Sequence, residues 1–144
     1  MDEAKTKTVY FLSGDLSGDI HAGYLIKELK HRAPGLRVRG CGGEAMEKAG
    51  MEVAVNLLQE LHVMLFFQVL LNIRKVMRLR KKTLEDIGQL KPDLVVLVDY
   101  PGFNLSIAKA LKADPATAGI PIYYYITPQV WAWGQGRVKK IRRV

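Results

Sequence analysis

Two acidic segments of this sequence have residue types and spacing suited to binding or deprotonating a hydroxyl group. In SGDLSGD (13–19), Asp15 and Asp19 lie among glycines, which let a ligand approach the backbone closely. In VDYPGFN (98–104), Asp99 follows the apolar run LVVLV and precedes a Pro-Gly turn signal. Partial burial at the end of a strand raises the pKa of a carboxyl group toward the range of a useful general base or acid. Asp99 is therefore the candidate catalytic residue.

The first acidic segment also has a structural interpretation. Free N–H groups at a helix N-terminus favour anions, but two aspartates would repel a naked phosphate, and the segment lacks the GxGxxG and P-loop patterns. Carboxylates suit sugar hydroxyls better. Alternatively, the segment is a tight turn in which Ser17 or Asp19 caps the following helix.

Three motifs have competing interpretations. GCGG (40–43) either admits a ligand against bare backbone or forms a turn with positive φ, and we favour the turn. Asp99 either acts as a base or accepts hydrogen bonds from the turn after it, while Asn104 can cap the next helix. In segment 123–133, Trp131 and Trp133 either stack on a sugar or base or plug the side of the sheet, and Gln129 suits hydroxyl contacts.

The elements that must position these residues alternate along the chain. The patterns predict strands over 8–12, 36–39, 51–55, 94–98 and 122–126, and helices over 18–32, 43–49, 63–87, 104–112 and 136–143. This alternation predicts an α/β domain with a parallel sheet and helices on both faces. Ligands bind such sheets at the carboxyl edge, where Asp99 is expected.

Composition indicates one globular domain. The chain has 144 residues, of which 49% are hydrophobic and 25% charged, and Cys41 is its single cysteine. This excludes an intrachain disulfide and a cysteine-built metal site, and no carboxylate–histidine cluster suggests a metal. A single cysteine and the lack of signal-peptide features near the N-terminus predict a cytoplasmic location. No apolar run approaches the roughly 18 residues of a membrane span.

Positive charge is concentrated in one part of the chain. The formal net charge is +8, which favours an anionic partner. An apolar run precedes a basic run, an order typical of a helix at a membrane interface. The candidate membrane-contact residues are Val63, Met64, Leu65, Phe66, Phe67, Arg74, Lys75, Arg78, Lys81 and Lys82. The alternative is a buried helix with a solvated basic end.

Four motifs together resemble the amino-terminal half of the lipid-A-disaccharide synthase family. They are SGDLSGD (13–19), GCGG (40–43), VDYPGFN (98–104) and YYYITPQVWAW (123–133), in family order and spacing. The resemblance implies the amino-terminal, Rossmann-like half of a GT-B fold, with the active site between two domains. It also implies inverting transfer of 2,3-diacylglucosamine from a UDP donor to 2,3-diacylglucosamine 1-phosphate, without a metal or other cofactor.

The resemblance also assigns roles to residues. Asp99 matches the catalytic base, and the substrate-binding positions are Asp15, Ser17, Gly18, Asp19, Asn104 and Gln129. Asp15 stands where the family usually has Glu, which shortens its reach. Leu65 and Phe66 stand near a usual glycine, and Gln68 near a usual acid, which makes this segment more apolar.

The resemblance covers one domain of two. Residues 1–144 are expected to be the acceptor-side domain, and without the carboxyl-terminal nucleotide-sugar domain this chain should have little or no transferase activity. The expected partners are the two sugar substrates and, peripherally, the cytoplasmic face of the inner membrane; nucleic acid is not expected, and a homo-oligomer stays open. The alternative function is a non-catalytic basic module that binds anionic membrane or nucleic acid.

Overall fold

A five-stranded parallel sheet forms the centre of the protein. The computed structural model describes residues 6–62 and 73–126. The strands are β1 (Thr8–Ser13), β2 (Arg37–Gly42), β3 (Glu52–Asn56), β4 (Leu94–Val98) and β5 (Ile122–Ile126). Their order across the sheet is β3-β2-β1-β4-β5, with every neighbouring pair parallel. The predicted α/β class is confirmed, and the predicted bounds of β4 and β5 match the structure.

Helices cover both faces of the sheet. They are α1 (Leu16–Arg32), α2 (Glu44–Lys48), α3 (Leu57–His62), α4 (Ile73–Leu90) and α5 (Pro101–Ala113). Because side chains alternate along a strand, Val9 and Phe11 of β1 pack with Ala22 and Ile26 of α1 on one face. Tyr10 of β1 lies on the opposite face, whose cluster includes side chains from α4 and α5. None of the described helices is long and apolar enough to cross a membrane.

The prediction of a glycine turn with positive φ over 40–43 was wrong, and Gly43 is the extended N-cap residue of α2. Gly40, Cys41 and Gly42 continue β2, and among the described glycines only Gly50 has positive φ. A Cβ at Gly40 would overlap the main-chain carbonyl oxygen of Phe11 and lie 2.8 Å from its nitrogen. Glycine is therefore needed at position 40 for close strand contact, not for a turn.

Two helix predictions also differ from the structure. The predicted helix over 63–87 corresponds to α4 in its second part, whereas residues 63–72 lie outside the described residues and α3 was not predicted. Asn104 does not cap α5, because this helix begins at Pro101 and Asn104 is buried in its first turns. The predicted helix over 136–143 lies outside the described residues.

Candidate active site

Asp15 follows β1 and Asp99 follows β4, the two neighbouring strands at which the order of the sheet changes direction. From β1 the chain builds β2 and β3 on one side, and then β4 and β5 on the other. Ser13 at the end of β1 is in register with Val98 at the end of β4. The loops that carry Asp15 and Asp99 therefore leave the sheet side by side at the topological switch point, where open α/β sheets bind ligands.

The turn that carries Asp99 has an unfavourable backbone conformation. Asp99 and Tyr100 have φ values of 44° and 43°, in the left-handed region. Each non-glycine residue there costs on the order of 1–2 kcal/mol. Surrounding contacts must therefore hold this turn.

Three hydrogen bonds from two elements provide that support. The Asp99 carbonyl oxygen accepts the Tyr124 hydroxyl at 2.7 Å and the Asn104 Nδ2 group at 2.8 Å. The Asp99 N–H donates to the Ile126 carbonyl oxygen at 2.9 Å. Strand β5 and helix α5 thus fix the backbone of Asp99 from two sides, which leaves its carboxylate to act on something else.

Asn104 connects the ends of two strands. Its Nδ2 group also donates to the carbonyl oxygens of Val98 at 3.2 Å and Leu12 at 3.4 Å. Its buried Oδ1 atom has no hydrogen-bond partner among residues 6–62 and 73–126. The amide nitrogen is therefore occupied by main-chain carbonyls, and Asn104 is fully buried, so its predicted substrate-binding role would be indirect, through the Asp99 turn.

Electrostatics adjust the Asp99 carboxyl group for proton transfer. Burial raises its pKa above the ordinary carboxyl value, and the negative charge of Asp15 raises it further. A hydrogen bond from the Tyr100 backbone N–H opposes these effects without cancelling them. Burial and the Asp15 charge also raise the pKa of the Tyr100 hydroxyl. The pKa of Asp99 is thus shifted in the direction expected of a general base.

The first acidic loop starts α1 with a different cap from the two predicted. Asp15 is the N-cap residue, and its Oδ1 atom accepts the Gly18 N–H at 2.6 Å, whereas Ser17 is exposed. A Cβ at Gly18 would lie 2.6 Å from the Ser13 Oγ atom, and one at Gly14 would lie 2.7 Å from the Tyr100 ring Cγ atom. Both glycines therefore let β1, α1 and the Asp99 turn pack closely.

Asp19 joins α1 to α2. Its side chain is only 2% exposed, and its two oxygens accept the N–H groups of Gly43 at 2.7 Å, Ala45 at 2.9 Å and Met46 at 3.3 Å. Gly43 is the N-cap of α2 and has no side chain to do this. Asp19 therefore caps a helix distant in sequence, which the sequence pattern did not indicate.

The basic residues predicted for membrane contact occupy two different positions on α4. Arg74, Lys75, Arg78 and Lys82 line a cleft beside Glu60 of α3, whereas Lys81 lies outside that cleft and pairs with Glu85 at 3.7 Å. The remaining predicted site residues, Val63, Met64, Leu65, Phe66, Phe67 and Gln129, lie outside the described residues. Within the described part of the chain, no group of three or more His, Cys, Asp and Glu residues could hold a metal ion.

The chain is similar to proteins of known family. A family model described as lipid-A-disaccharide synthetase matches residues 9–144. The lipid-A-disaccharide synthase of Nitrosococcus oceani is 41% identical over 142 residues, which cover 99% of this chain and 35% of that protein. The Coxiella burnetii (strain Dugway 5J108-111) synthase is 39% identical over 137 residues, 95% of this chain and 35% of that protein. The chain thus spans about a third of the length of these relatives.

The fold is also similar to that of solved structures. The calicheamicin glycosyltransferase CalG4 matches with a TM-score of 0.55 and 19% sequence identity, covering 96% of this chain and 37% of that one. At this identity the similarity concerns the fold alone. It agrees with a Rossmann-like domain such as those that make up a GT-B glycosyltransferase.

Proposed function

Because this chain belongs to the lipid-A-disaccharide synthetase family, we propose that it is the acceptor-side domain of a lipid A glycosyltransferase. The complete enzyme transfers 2,3-diacylglucosamine from its UDP donor to the 6-hydroxyl of 2,3-diacylglucosamine 1-phosphate. A carboxyl-terminal domain, outside this chain, supplies the nucleotide-sugar site. The observation that carries this proposal is Asp99 at the switch point, with its backbone held by Tyr124 and Asn104 and the pKa of its carboxyl group raised.

In this mechanism Asp99 is the general base. Its carboxylate removes the proton of the acceptor 6-hydroxyl as that oxygen attacks the anomeric carbon of the donor. The new C–O bond forms on the face opposite the breaking bond to the UDP phosphate, so the configuration inverts and UDP departs. The charge is balanced without a metal ion in this step, because the proton passes to Asp99 and the negative charge leaves with UDP.

The neighbouring residues position Asp99 and the acceptor. Asn104 and Tyr124 hold the backbone of Asp99, while burial and the charge of Asp15 keep the pKa of its carboxyl group raised. The exposed Ser17 hydroxyl, in the first turn of α1, is available for a sugar hydroxyl. Asp19 and Gly18 act indirectly, because both are buried and shape the loop rather than reach solvent.

We further propose peripheral contact with the cytoplasmic face of the inner membrane. On α4, Ile73 is 61% exposed and Met77 53% exposed, and both stand among the cations Arg74, Lys75 and Arg78. Exposed apolar residues beside basic ones are typical of helices at an anionic membrane surface. Such contact would bring the domain to diacylated substrates.

The test is turnover by an Asp99→Asn variant in a protein of the relatives' full length. With both substrates in detergent micelles, kcat should fall by about 10²–10⁴-fold, the usual contribution of general base catalysis, with little change in the acceptor KM. The control is Asp114→Asn, which preserves the local turn in which Asp114 Oδ1 accepts the Ala116 N–H, at the far end of α5.

Two results would contradict the proposal. Unchanged turnover by Asp99→Asn would remove Asp99 as the base. No transfer by the unmodified full-length protein, together with binding to anionic vesicles, would favour the alternative of a non-catalytic basic module.

A further inference from the structure

A cleft lies between α3 and the amino-terminal half of α4, beside the outer strand β3. Its volume is about 370 Å³, within the usual size range of small-ligand pockets. Its lining consists of Val55, Glu60, Arg74, Lys75, Arg78, Leu79 and Lys82. Four of these seven side chains are cationic and one is acidic, so the cleft has a strong positive bias.

One cation is neutralised inside the cleft, and three are not. Lys75 Nζ lies 2.9 Å from the Glu60 carboxylate. Within residues 6–62 and 73–126, Arg74, Arg78 and Lys82 have no ion-pair partner. A hydrogen bond from Lys75 lowers the pKa of Glu60, and the charges of Lys75, Lys82 and Arg78 lower it further. The cations on successive turns of α4 therefore act on the same small volume.

Helical spacing explains why these charges converge. Arg74, Arg78 and Lys82 stand four residues apart, so their side chains follow one face of α4. Like charges placed this way repel each other and destabilise the helix unless an anion lies between them. Two guanidinium groups present the planar donor pairs that match phosphate oxygens, and an ammonium group adds a point charge.

We propose that this cleft binds a phosphate group, with Arg74, Arg78 and Lys82 as its ligands and Glu60 holding Lys75 to one side. The cleft is distinct from the candidate active site, because it lies beside β3 and neither Asp15 nor Asp99 lines it. The phosphate comes either from a soluble phosphate compound or from a phospholipid headgroup. This inference does not depend on the proposed transferase function.

The first test titrates the chain with inorganic phosphate at constant ionic strength and follows backbone amide shifts by NMR. Saturable shifts should appear around Glu60 and the first turns of α4. Arg78→Gln should weaken binding by about fivefold, a magnitude reduced by solvent screening at a partly open site. Lys81→Gln is the matched control, because it removes the same charge from the same helix outside the cleft.

A second variant changes affinity in the opposite direction. Glu60→Gln removes the carboxylate that repels the anion and releases Lys75, so phosphate should bind several-fold more tightly. Glu85→Gln is its control, because it removes one negative charge from α4 at a residue that does not line the cleft. If Arg78→Gln and Lys81→Gln weakened phosphate binding equally, or if Glu60→Gln did not tighten it, phosphate binding would reflect only the general surface charge. Either result would overturn the proposal.

The source of the phosphate is tested with two probes. Glucosamine 1-phosphate represents a soluble phosphate compound, and phosphatidylcholine vesicles containing phosphatidylglycerol represent a headgroup. The source is the probe whose binding is weakened more by Arg78→Gln than by Lys81→Gln. If neither probe distinguishes these variants, the cleft is not a phosphate site.

Discussion

The side-chain hydroxyl of Tyr124 donates a 2.7 Å hydrogen bond to the main-chain carbonyl oxygen of Asp99. This contact links β5 to a turn whose two residues both have positive φ. A strained turn persists only where its surroundings hold it, and here the same carbonyl oxygen also accepts the Asn104 amide. These contacts to its backbone therefore position the proposed base and leave its carboxylate with the Tyr100 N–H as a hydrogen-bond donor.

Replacing Tyr124 by Phe should impair positioning more than stability. The loss of one hydrogen bond should lower the free energy of unfolding by about 1 kcal/mol, because Asn104 still holds the turn. A small displacement of Asp99 should reduce kcat about tenfold or more in the full-length protein, with little change in the acceptor KM. Urea unfolding and steady-state kinetics measure the two effects.

Tyr125→Phe is the matched control for this substitution. Tyr125 is the next residue of β5 and points to the opposite face, where it is exposed. Its substitution should leave kcat unchanged. An equal loss of turnover in both variants, or a loss confined to KM, would contradict a positioning role for Tyr124.

The charge of Asp15 should be measurable through the pKa of Asp99. Asparagine is as good an N-cap as aspartate, so Asp15→Asn should preserve α1 while removing a negative charge near Asp99. The pKa of Asp99 should fall but stay above its ordinary value, because burial is the larger cause of the shift. In the full-length enzyme the acidic limb of the kcat profile should move to lower pH.

This pKa can be followed on the chain itself by carboxyl ¹³C NMR. Glu28→Gln removes a charge from the exposed part of α1, where Glu28 pairs with Arg32, and should leave Asp99 unaffected. An unchanged Asp99 pKa in Asp15→Asn would show that the two carboxylates do not interact.

The sequence was informative where the pattern is local. An apolar run that ends in Asp99 predicts a buried parallel strand, and β4 has the predicted bounds because burial on both faces favours just such a run. The placement of Asp99 at the carboxyl edge followed from that strand. Its backbone conformation did not, because Pro101 and Gly102 suggested a turn without indicating that residues 99 and 100 would adopt positive φ.

Contacts between distant segments were not predictable from the sequence. Asp19 caps α2, which begins 25 residues later, and Asn104 reaches the ends of two strands rather than its own helix start. Gly40 looks like a turn residue in sequence, but its role depends on the nearness of Phe11 in the adjacent strand. In each case the partner is brought into contact only by the assembled sheet.

A polar network beneath α4 should make stability depend on pH. Tyr10 and Arg39 both donate hydrogen bonds to Asp86, at distances from 2.8 to 3.1 Å. Burial alone would raise the pKa of Asp86, but the hydrogen bonds of Arg39 and Tyr10 and the charges of Arg39 and Arg37 outweigh it and lower the pKa. The ionised form therefore stabilises the fold.

Asp86→Asn should lower the free energy of unfolding by about 2 kcal/mol at neutral pH. The pKa of Asp86 is lower in the folded protein than in the unfolded chain, where it is about 4. Above about pH 4 the wild-type protein therefore has the full contribution of ionised Asp86 to stability, and it loses this contribution as the pH falls through the pKa of the folded state. The difference between wild type and variant should therefore shrink below about pH 4. Urea unfolding from pH 7 to pH 3 measures it, and a pH-independent difference would contradict the ionic role; Glu85→Gln is the exposed control.

Two glycine substitutions should change stability in opposite directions. In Gly40→Ala the new methyl group meets the Phe11 backbone of the neighbouring strand, which cannot move without disturbing the sheet, so about 3 kcal/mol should be lost. In Gly88→Ala nothing lies within 4 Å of the new methyl group, and α4 should gain about 0.5–1 kcal/mol from alanine's higher helix propensity. Urea unfolding at pH 7 compares both variants with wild type. If Gly40→Ala were neutral, the close contact between β1 and β2 would not determine the residue at position 40.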